Sequence, residues 1–381
     1  MNKVALIISN KVKKIPGGLL ECTINPLISM GFNVVWAANF SGAVFNVEEL
    51  PCSIINVPTT TNPFNIHNAK SFSIINKYIK KNDVEIIFCS TPIGGLLGRL
   101  LGHINKTKCV IYQAHGFLFF KNGPKLGFFY KKVEQFLGRY TDFLITINKE
   151  DYHNSKSIKL KNKYSKRFLV HGSGLELLTE SSNFEKAKTY QDLGIEPGLP
   201  IVISIGELNN NKNVKTLIKS APFIKQKTIF LICGLGKKEK RLKKMSAKNH
   251  NHNVDIRFLG YRTDIQNLLS ISTIYVSTSK REGLSRTVSE AMSIGIPCIV
   301  SNRRGLQDLV DSNGGFLIGP NDYQSLAKYI NELETNHDLC SQMSVYNKSK
   351  IQNYKSIVVK REMERIFDEA FDYVNSKEFS K

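Results

Sequence analysis

Short apolar runs alternate with amphipathic stretches along most of the chain. Lys3 to Ser9, Phe32 to Ala37, Val84 to Cys89, Cys109 to Gln113 and Phe143 to Ile147 are too short for helices, and their apolar residues are nearly continuous. Such runs fit strands buried on both faces of a parallel sheet. A helix is predicted from about Leu19 to Met30, closed by Gly31, and another in L-L-G-R-L-L-G-H from Leu96. The pattern restarts after a polar, loop-like stretch from Leu175 to Pro200. Strands are predicted at Ile201 to Ile205, Thr228 to Cys233, Val254 to Gly260, Ile274 to Val276 and Cys298 to Val300. A helix starts near Ser285 and ends at Gly295, because glycine suits the left-handed position after a helix and Pro297 cannot continue one. Another begins near Tyr323, and the tail from Lys348 is amphipathic and helical. Strand followed by helix, in two series, predicts an α/β chain with a parallel sheet in each half. The crossover at His171-Gly172-Ser173-Gly174 places the boundary, giving domains 1–172 and 173–349.

Composition narrows the partners more than the fold. At 381 residues, 41% of them hydrophobic and 22% charged, the chain is long enough for two ample cores and is not disordered. Lys+Arg 53 against Asp+Glu 32 gives a formal charge of +21, which calls for an anionic partner. The seven cysteines lack metal-ligand spacing, and Cys89, Cys233 and Cys298 fall inside apolar runs. They read as buried, reduced thiols of a cytoplasmic chain. No apolar run approaches the roughly 18–20 residues needed to span a bilayer.

Candidate chemistry concentrates between Ser279 and Leu309. Glu282 and Glu290 stand with seven residues between them, one in the loop before the predicted helix and one about a turn and a half into it. Both can face one cleft into which the helix N-terminus points its free N–H groups. Phosphate binds at such an N-terminus and carboxylates bind vicinal hydroxyls, so the pair suits a sugar joined to a diphosphate. The plain alternative is a solvated Glu290 and an ordinary loop acid. Gly206 ends a strand, and Lys212 follows at the opening of a helix, a suitable diphosphate cradle. His115 lies at a strand's C-terminal end, where open α/β sheets place ligands. Gly17-Gly18 at a strand-to-helix switch lets backbone approach a ligand, and reads equally as a tight turn. Gly234-Leu235-Gly236 lacks a third glycine and is not read as dinucleotide binding. No Asp-x-Asp metal motif occurs.

The segment E-G-L-x4-S-E-A-M-x-x-G-I-P-x-I, together with Y-Q-A-H-G-F, resembles the retaining glycosyltransferases of family 4, which have the GT-B fold. The resemblance implies two Rossmann-like parallel-sheet domains facing a central cleft, 1–172 binding the acceptor and 173–349 the nucleotide sugar, with the tail 350–381 crossing back onto the first. It implies a catalytic group of His115, Lys212 and Glu282. Donor binding would fall to Gly17, Gly18, Gly206, Arg262, Gly283, Leu284, Ser285 and Glu290, with Glu282 against the sugar hydroxyls and Glu290 on the ribose. An arginine usually assists the lysine, but Glu207 occupies its place, leaving Arg281 and Arg286 as the nearest candidates. The stretch from Tyr112 to Tyr152 looks like a subgroup that builds bacterial surface polysaccharides on undecaprenyl diphosphate. A nucleotide sugar, UDP-linked by resemblance, is then the substrate, with no resident cofactor or metal, and a lipid-linked glycan is the acceptor.

Phenylalanines and lysines alternate from Phe117 to Phe129, which fits an anionic membrane surface and a peripheral position on the inner face of the plasma membrane. The alternative is a core-facing helix with a solvated basic face. A sugar-nucleotide epimerase on the same fold remains open. Nucleic-acid binding is disfavoured because no helix-turn-helix, zinc or RNP-type signature accompanies the charge.

Overall fold

In the computed structural model, which describes residues 3–120, 123, 126–178, 185–249 and 251–378, the chain divides into two units. One comprises Met1–Glu176 and Tyr354–Lys381, the other Leu177–Asn353. Each division falls four residues beyond the boundary read from the sequence (176/177 against 172/173, and 353/354 against 349/350).

The first unit holds seven strands: β1 (Val4–Lys11), β2 (Asn33–Asn39), β3 (Ser53–Asn56), β4 (Val84–Ser90), β5 (Cys109–Ala114), β6 (Phe143–Thr146) and β7 (Lys166–Leu169). They pair in the order β3-β2-β1-β4-β5-β6-β7, all parallel. The continuous apolar runs are explained by cores on both faces. Ala5 and Ile7 point to one core with Val359, Met363, Ile366 and Phe367, while Leu6 and Ile8 point to the other with Ile75, Ile79, Leu97 and Leu101. The tail helix Ser356–Glu378 therefore completes this sheet. Its Tyr373 hydroxyl donates to the fully buried Asp142 carboxylate at 2.5 Å, and Lys161 pairs with the same carboxylate at 2.9 Å. The helix Pro92–Ile104 lies close enough to the sheet that a Cβ on Gly98 would sit 2.5 Å from that of Cys89.

The second unit holds β8 (Ile201–Ile205), β9 (Thr228–Cys233), β10 (Val254–Gly260), β11 (Ile274–Ser277), β12 (Cys298–Ser301) and β13 (Gly315–Ile318). Their order is β10-β9-β8-β11-β12-β13, again all parallel. In both sheets the strand order reverses beside the first strand, between β1 and β4 and between β8 and β11. Crevices open at the C-terminal ends of strands at such reversals.

Some local readings are corrected. The helix expected from Leu19 to Met30 begins as a wide turn over Leu20–Ile24 before the regular helix Asn25–Ser29. A helix, Lys186–Leu193, occupies part of the stretch read as loop. Lys212 does not open a helix: the next one is Lys215–Ser220, and Lys212 sits in the preceding turn. Phe117 and Phe119 are buried and stack at 4.8 Å, so that part of the Phe/Lys segment is core. Lys121 and Lys125 lie outside the described residues.

Candidate active site

At the switch point of the second sheet, β8 ends in Ile205 and β11 in Ser277, and the loops after them are laced together. Asn209 accepts from the amides of Asn211 and Lys212 at 2.9 Å each, shaping a tight turn. The Asn211 side chain donates to the Arg281 carbonyl at 3.0 Å, and the Lys280 amide donates to the Asn211 carbonyl at 2.8 Å. The Thr278 hydroxyl donates to the Asn213 carbonyl at 3.0 Å. Held this way, the Lys212 ammonium meets the Glu282 carboxylate at 2.7 Å, with both side chains mostly buried. Gly206 lies under this pair: its φ is +152° and a Cβ there would come within 3.0 Å of the Lys212 side chain. Seventy residues apart in sequence, Lys212 and Glu282 form one charged unit.

The Glu282-Gly283 turn is fixed from behind. Arg304, only 3% exposed, donates from Nε to the Glu282 carbonyl at 3.1 Å. Gly305 adopts φ +75°, and a Cβ there would strike the Gly283 carbonyl at 2.3 Å. Sequence reasoning missed Arg304. A charged pair, Arg303-Arg304, running straight into Gly305 and an apolar Leu306 was the available signal. The loop then passes Leu284 and enters the helix Arg286–Ser293 through Ser285, whose extended backbone marks the N-cap but whose hydroxyl makes no cap bond. The N–H groups of the first turn are thus left without a side-chain partner. Glu290 reaches back to Arg286 at 2.9 Å. The buried Tyr275 hydroxyl donates to Thr287 at 2.7 Å, and its pKa is driven up by desolvation and further by the nearby Glu282 and Glu290 charges. Both carboxylates therefore act on one small region.

Glu207, in the place where an arginine was expected, is exposed; of the two cations considered for the second phosphate contact, Arg286 is committed to Glu290 and Arg281 is half-buried without an ion pair to a described residue. Arg262 forks onto Asp264 at 2.8 and 2.5 Å on the loop after β10. That bond holds the Asp264 carboxyl below its ordinary range. The Gly234-Leu235-Gly236 segment supports the site mechanically. A Cβ on Gly234 would lie 2.0 Å from the Gly206 carbonyl, so glycine here serves backbone packing.

Gly17, Gly18 and His115 belong to the first unit and line one cavity of about 300 Å³ at the β1/β4 switch point. Gly18 has φ +73°, and its Cβ position lies 1.7 Å from the Ser173 carbonyl, so only glycine fits. Surrounding protein lowers the His115 pKa by desolvation, although the residue is exposed. The shift favours the neutral imidazole, which can accept a hydrogen bond. Thr91, at the end of β4, holds φ +66° and ψ +160°, a strained conformation for a β-branched residue and one associated with functional loops.

Two parallel sheets with crevices at their switch points, one of them carrying a lysine–carboxylate pair before an uncapped helix, make up the GT-B fold. The chain belongs to the glycosyl transferases group 1 family, whose model matches residues 185–350, while the glycosyl transferase 4-like model matches residues 30–148. It is 31% identical over 361 residues to EpsD of Bacillus subtilis, which is named as a glycosyltransferase, covering 92% of each chain. It is 30% identical over 324 residues to the UDP-Gal:alpha-D-GlcNAc-diphosphoundecaprenol alpha-1,3-galactosyltransferase of Escherichia coli, covering 82% of this chain and 81% of that one. Among solved structures, HepE of Anabaena in complex with UDP and glucose superposes with a TM-score of 0.76 at 17% identity, over 97% of this chain and 100% of that one. The epimerase alternative finds no support in these relatives.

Proposed function

We propose that the chain transfers a sugar, with retention of anomeric configuration, from a UDP-sugar to a glycan carried on a lipid diphosphate during surface-polysaccharide assembly. The observation that carries this reading is the Lys212–Glu282 pair at the switch point of the second sheet, followed by an uncapped helix N-terminus and Glu290. Reaction breaks the bond between the donor's anomeric carbon and its diphosphate oxygen and forms one to the acceptor hydroxyl oxygen. The hydroxyl proton leaves with the diphosphate. Negative charge grows on the departing diphosphate, and Lys212 and the first-turn amides of the helix Arg286–Ser293 suit offsetting it. Glu282, already tied to the lysine, suits accepting hydrogen bonds from sugar hydroxyls, and Glu290 suits the ribose hydroxyls. His115 suits a substrate hydroxyl as well.

The galactosyltransferase relative is named for a diphosphoundecaprenol acceptor, which supports a lipid-linked acceptor here. No described helix is long and apolar enough to cross a membrane. The helix Gly127–Gly138, with Leu126 before it, supports peripheral attachment. Leu126, Phe128, Phe129 and Phe136 are 51–70% exposed on it, and Lys131 and Lys132 stand among them. Apolar groups flanked by lysine match an anionic lipid surface. Transfer is further proposed to need neither resident cofactor nor divalent metal, since Lys212 supplies the cation and the sequence has no Asp-x-Asp. Incubation with radiolabelled nucleotide sugars and bacterial lipid extract tests the function. Label from a UDP-sugar should enter the butanol-soluble lipid fraction; label appearing only as free sugar would refute transfer.

A further inference from the structure

The second unit gathers four cations around one small cavity beside the Lys212 turn. Lys215 opens the helix Lys215–Ser220, Lys238 and Arg241 stand at the start of the helix Glu239–Lys248, and Lys280 follows β11. With Asn209 and Asn210 they line a space of about 90 Å³, and no carboxylate lines it. Other cations of this unit are matched: Lys212 with Glu282, Arg262 with Asp264 and Arg286 with Glu290. Lys215, Lys238, Arg241 and Lys280 form no ion pair with a described residue. Like charges gathered without a counter-ion repel, and an anion among them turns that repulsion into attraction. Further donors stand beside them. The Asn209 side-chain oxygen is taken by the amides of Asn211 and Lys212, which leaves its NH2 group to donate. The helix Glu239–Lys248 has no side-chain cap at Lys238, and its first-turn acid, Glu239, is occupied by Lys243 at 2.8 Å. An uncapped helix start favours negative charge beside it.

Size then selects the anion. About 90 Å³ is the room of roughly three waters and lies below the roughly 300 Å³ at which small-molecule pockets begin. One tetrahedral oxyanion fits such a space, and a nucleotide or sugar does not. We infer that this cavity binds a single terminal phosphate group, at a site separate from the donor's diphosphate. Lys212 and Glu282 do not line it, and the inference does not rest on the transfer reaction proposed above. Asn209 lines the cavity and also shapes the turn of Lys212, so the site adjoins the donor loop without sharing its charged pair. The phosphate can arrive on a soluble molecule or at the end of a lipid headgroup, and the recognition chemistry is the same for both.

Calorimetric titration of the full-length protein with inorganic phosphate tests the site. The protein is first saturated with UDP, so that the donor's own phosphate contacts are filled, and ionic strength is held fixed. Wild type should show saturable phosphate binding. Lys238→Gln with Arg241→Gln should weaken it about ten- to a hundredfold, as loss of two charge-assisted contacts does. Lys237 and Lys240 are exposed neighbours that do not line the cavity. Lys237→Gln with Lys240→Gln removes the same charge and should change affinity by no more than about twofold. Unchanged thermal melts and UDP binding show that both variants are folded. Absence of saturable binding in the UDP-saturated wild type overturns the site. So does equal weakening in the two variants, which would mark diffuse positive charge rather than a cavity. Adding vesicles that carry phosphatidic acid identifies the source. Displacement of inorganic phosphate from the wild type supports the site with a lipid headgroup as its occupant; phosphate that stays bound supports it with a soluble one.

Discussion

Replacing Lys212 with alanine removes the charge that sits 2.7 Å from Glu282 at the heart of the second sheet's crevice. Two consequences follow, and they are separable. In the resting protein the pair's gross attraction is about 6 kcal/mol at an effective dielectric near 20, most of it offset by desolvation of two largely buried side chains. Removing one partner strands the carboxylate, so the variant should lose about 1–3 kcal/mol of stability. Lys212→Ala with Glu282→Gln together should recover most of that loss. In the reaction, the lysine matters most when the diphosphate departs, because the charge it faces grows along the coordinate. Loss of one such electrostatic donor lowers kcat by about two to three orders of magnitude, or roughly 3–4 kcal/mol. Steady-state kinetics at saturating donor, with thermal melts on the same preparations, measure both. The double variant should be nearly as stable as the wild type and still slow. A normal kcat with only a raised KM would show that Lys212 binds donor equally in ground and transition states. Recovery of kcat in the double variant would show that the single variant was slow only through damage to the fold. Either result refutes the leaving-group role.

Three other outcomes are expected. Burial of Glu334 beside Thr228 pushes its carboxyl up from 4.5 to about 7. The folded chain keeps this proton while the unfolded chain releases it near pH 4.5, so stability should fall as pH rises from about 4.5 through 7. Above that range Glu334→Gln should be the more stable form by up to about 3 kcal/mol, read from denaturant melts at pH 5 and pH 8; equal curves at both would contradict the burial argument. Wild-type protein should pellet with anionic vesicles at low salt and release as salt screens the attraction, and Phe128→Ser with Phe129→Ser should weaken pelleting about tenfold or more. Unchanged pelleting places the membrane face elsewhere. Transfer should persist in excess EDTA; full loss restored by manganese would contradict the metal-free proposal.

The sequence made the second sheet's candidate site segment legible because its chemistry is local. Apolar β11, the Glu282-Gly283 turn, Ser285 at the N-cap and Gly295 at φ +84° before Pro297 all lie within a few residues of what they control. Contacts across distance were not legible. Lys212 was recognisable as a cation, but its partner is seventy residues away, and its turn is made by Asn209 rather than by a helix start. Arg304 escaped notice for the same reason: its role depends on the Gly305 turn closing onto Gly283. The Phe/Lys segment shows a limit of composition. Phe119 and Phe128 have similar neighbours in sequence, yet one packs into the core with β5 residues and the other faces solvent, a difference that neighbouring residues alone do not encode. The helix Lys186–Leu193 was missed because its residues are mostly polar, leaving no apolar stripe to reveal the period.

The central claim is retaining transfer to a lipid-linked diphosphate sugar, and the anomeric configuration of the product tests it most directly. The full-length protein is incubated with α-linked UDP-sugars and a synthetic sugar diphosphate lipid, and the purified product is examined by NMR. The account predicts an α-configured new linkage, formed by the wild type and nearly abolished in Glu282→Ala. A β-configured linkage, or release of free sugar with no new glycosidic bond, would contradict it.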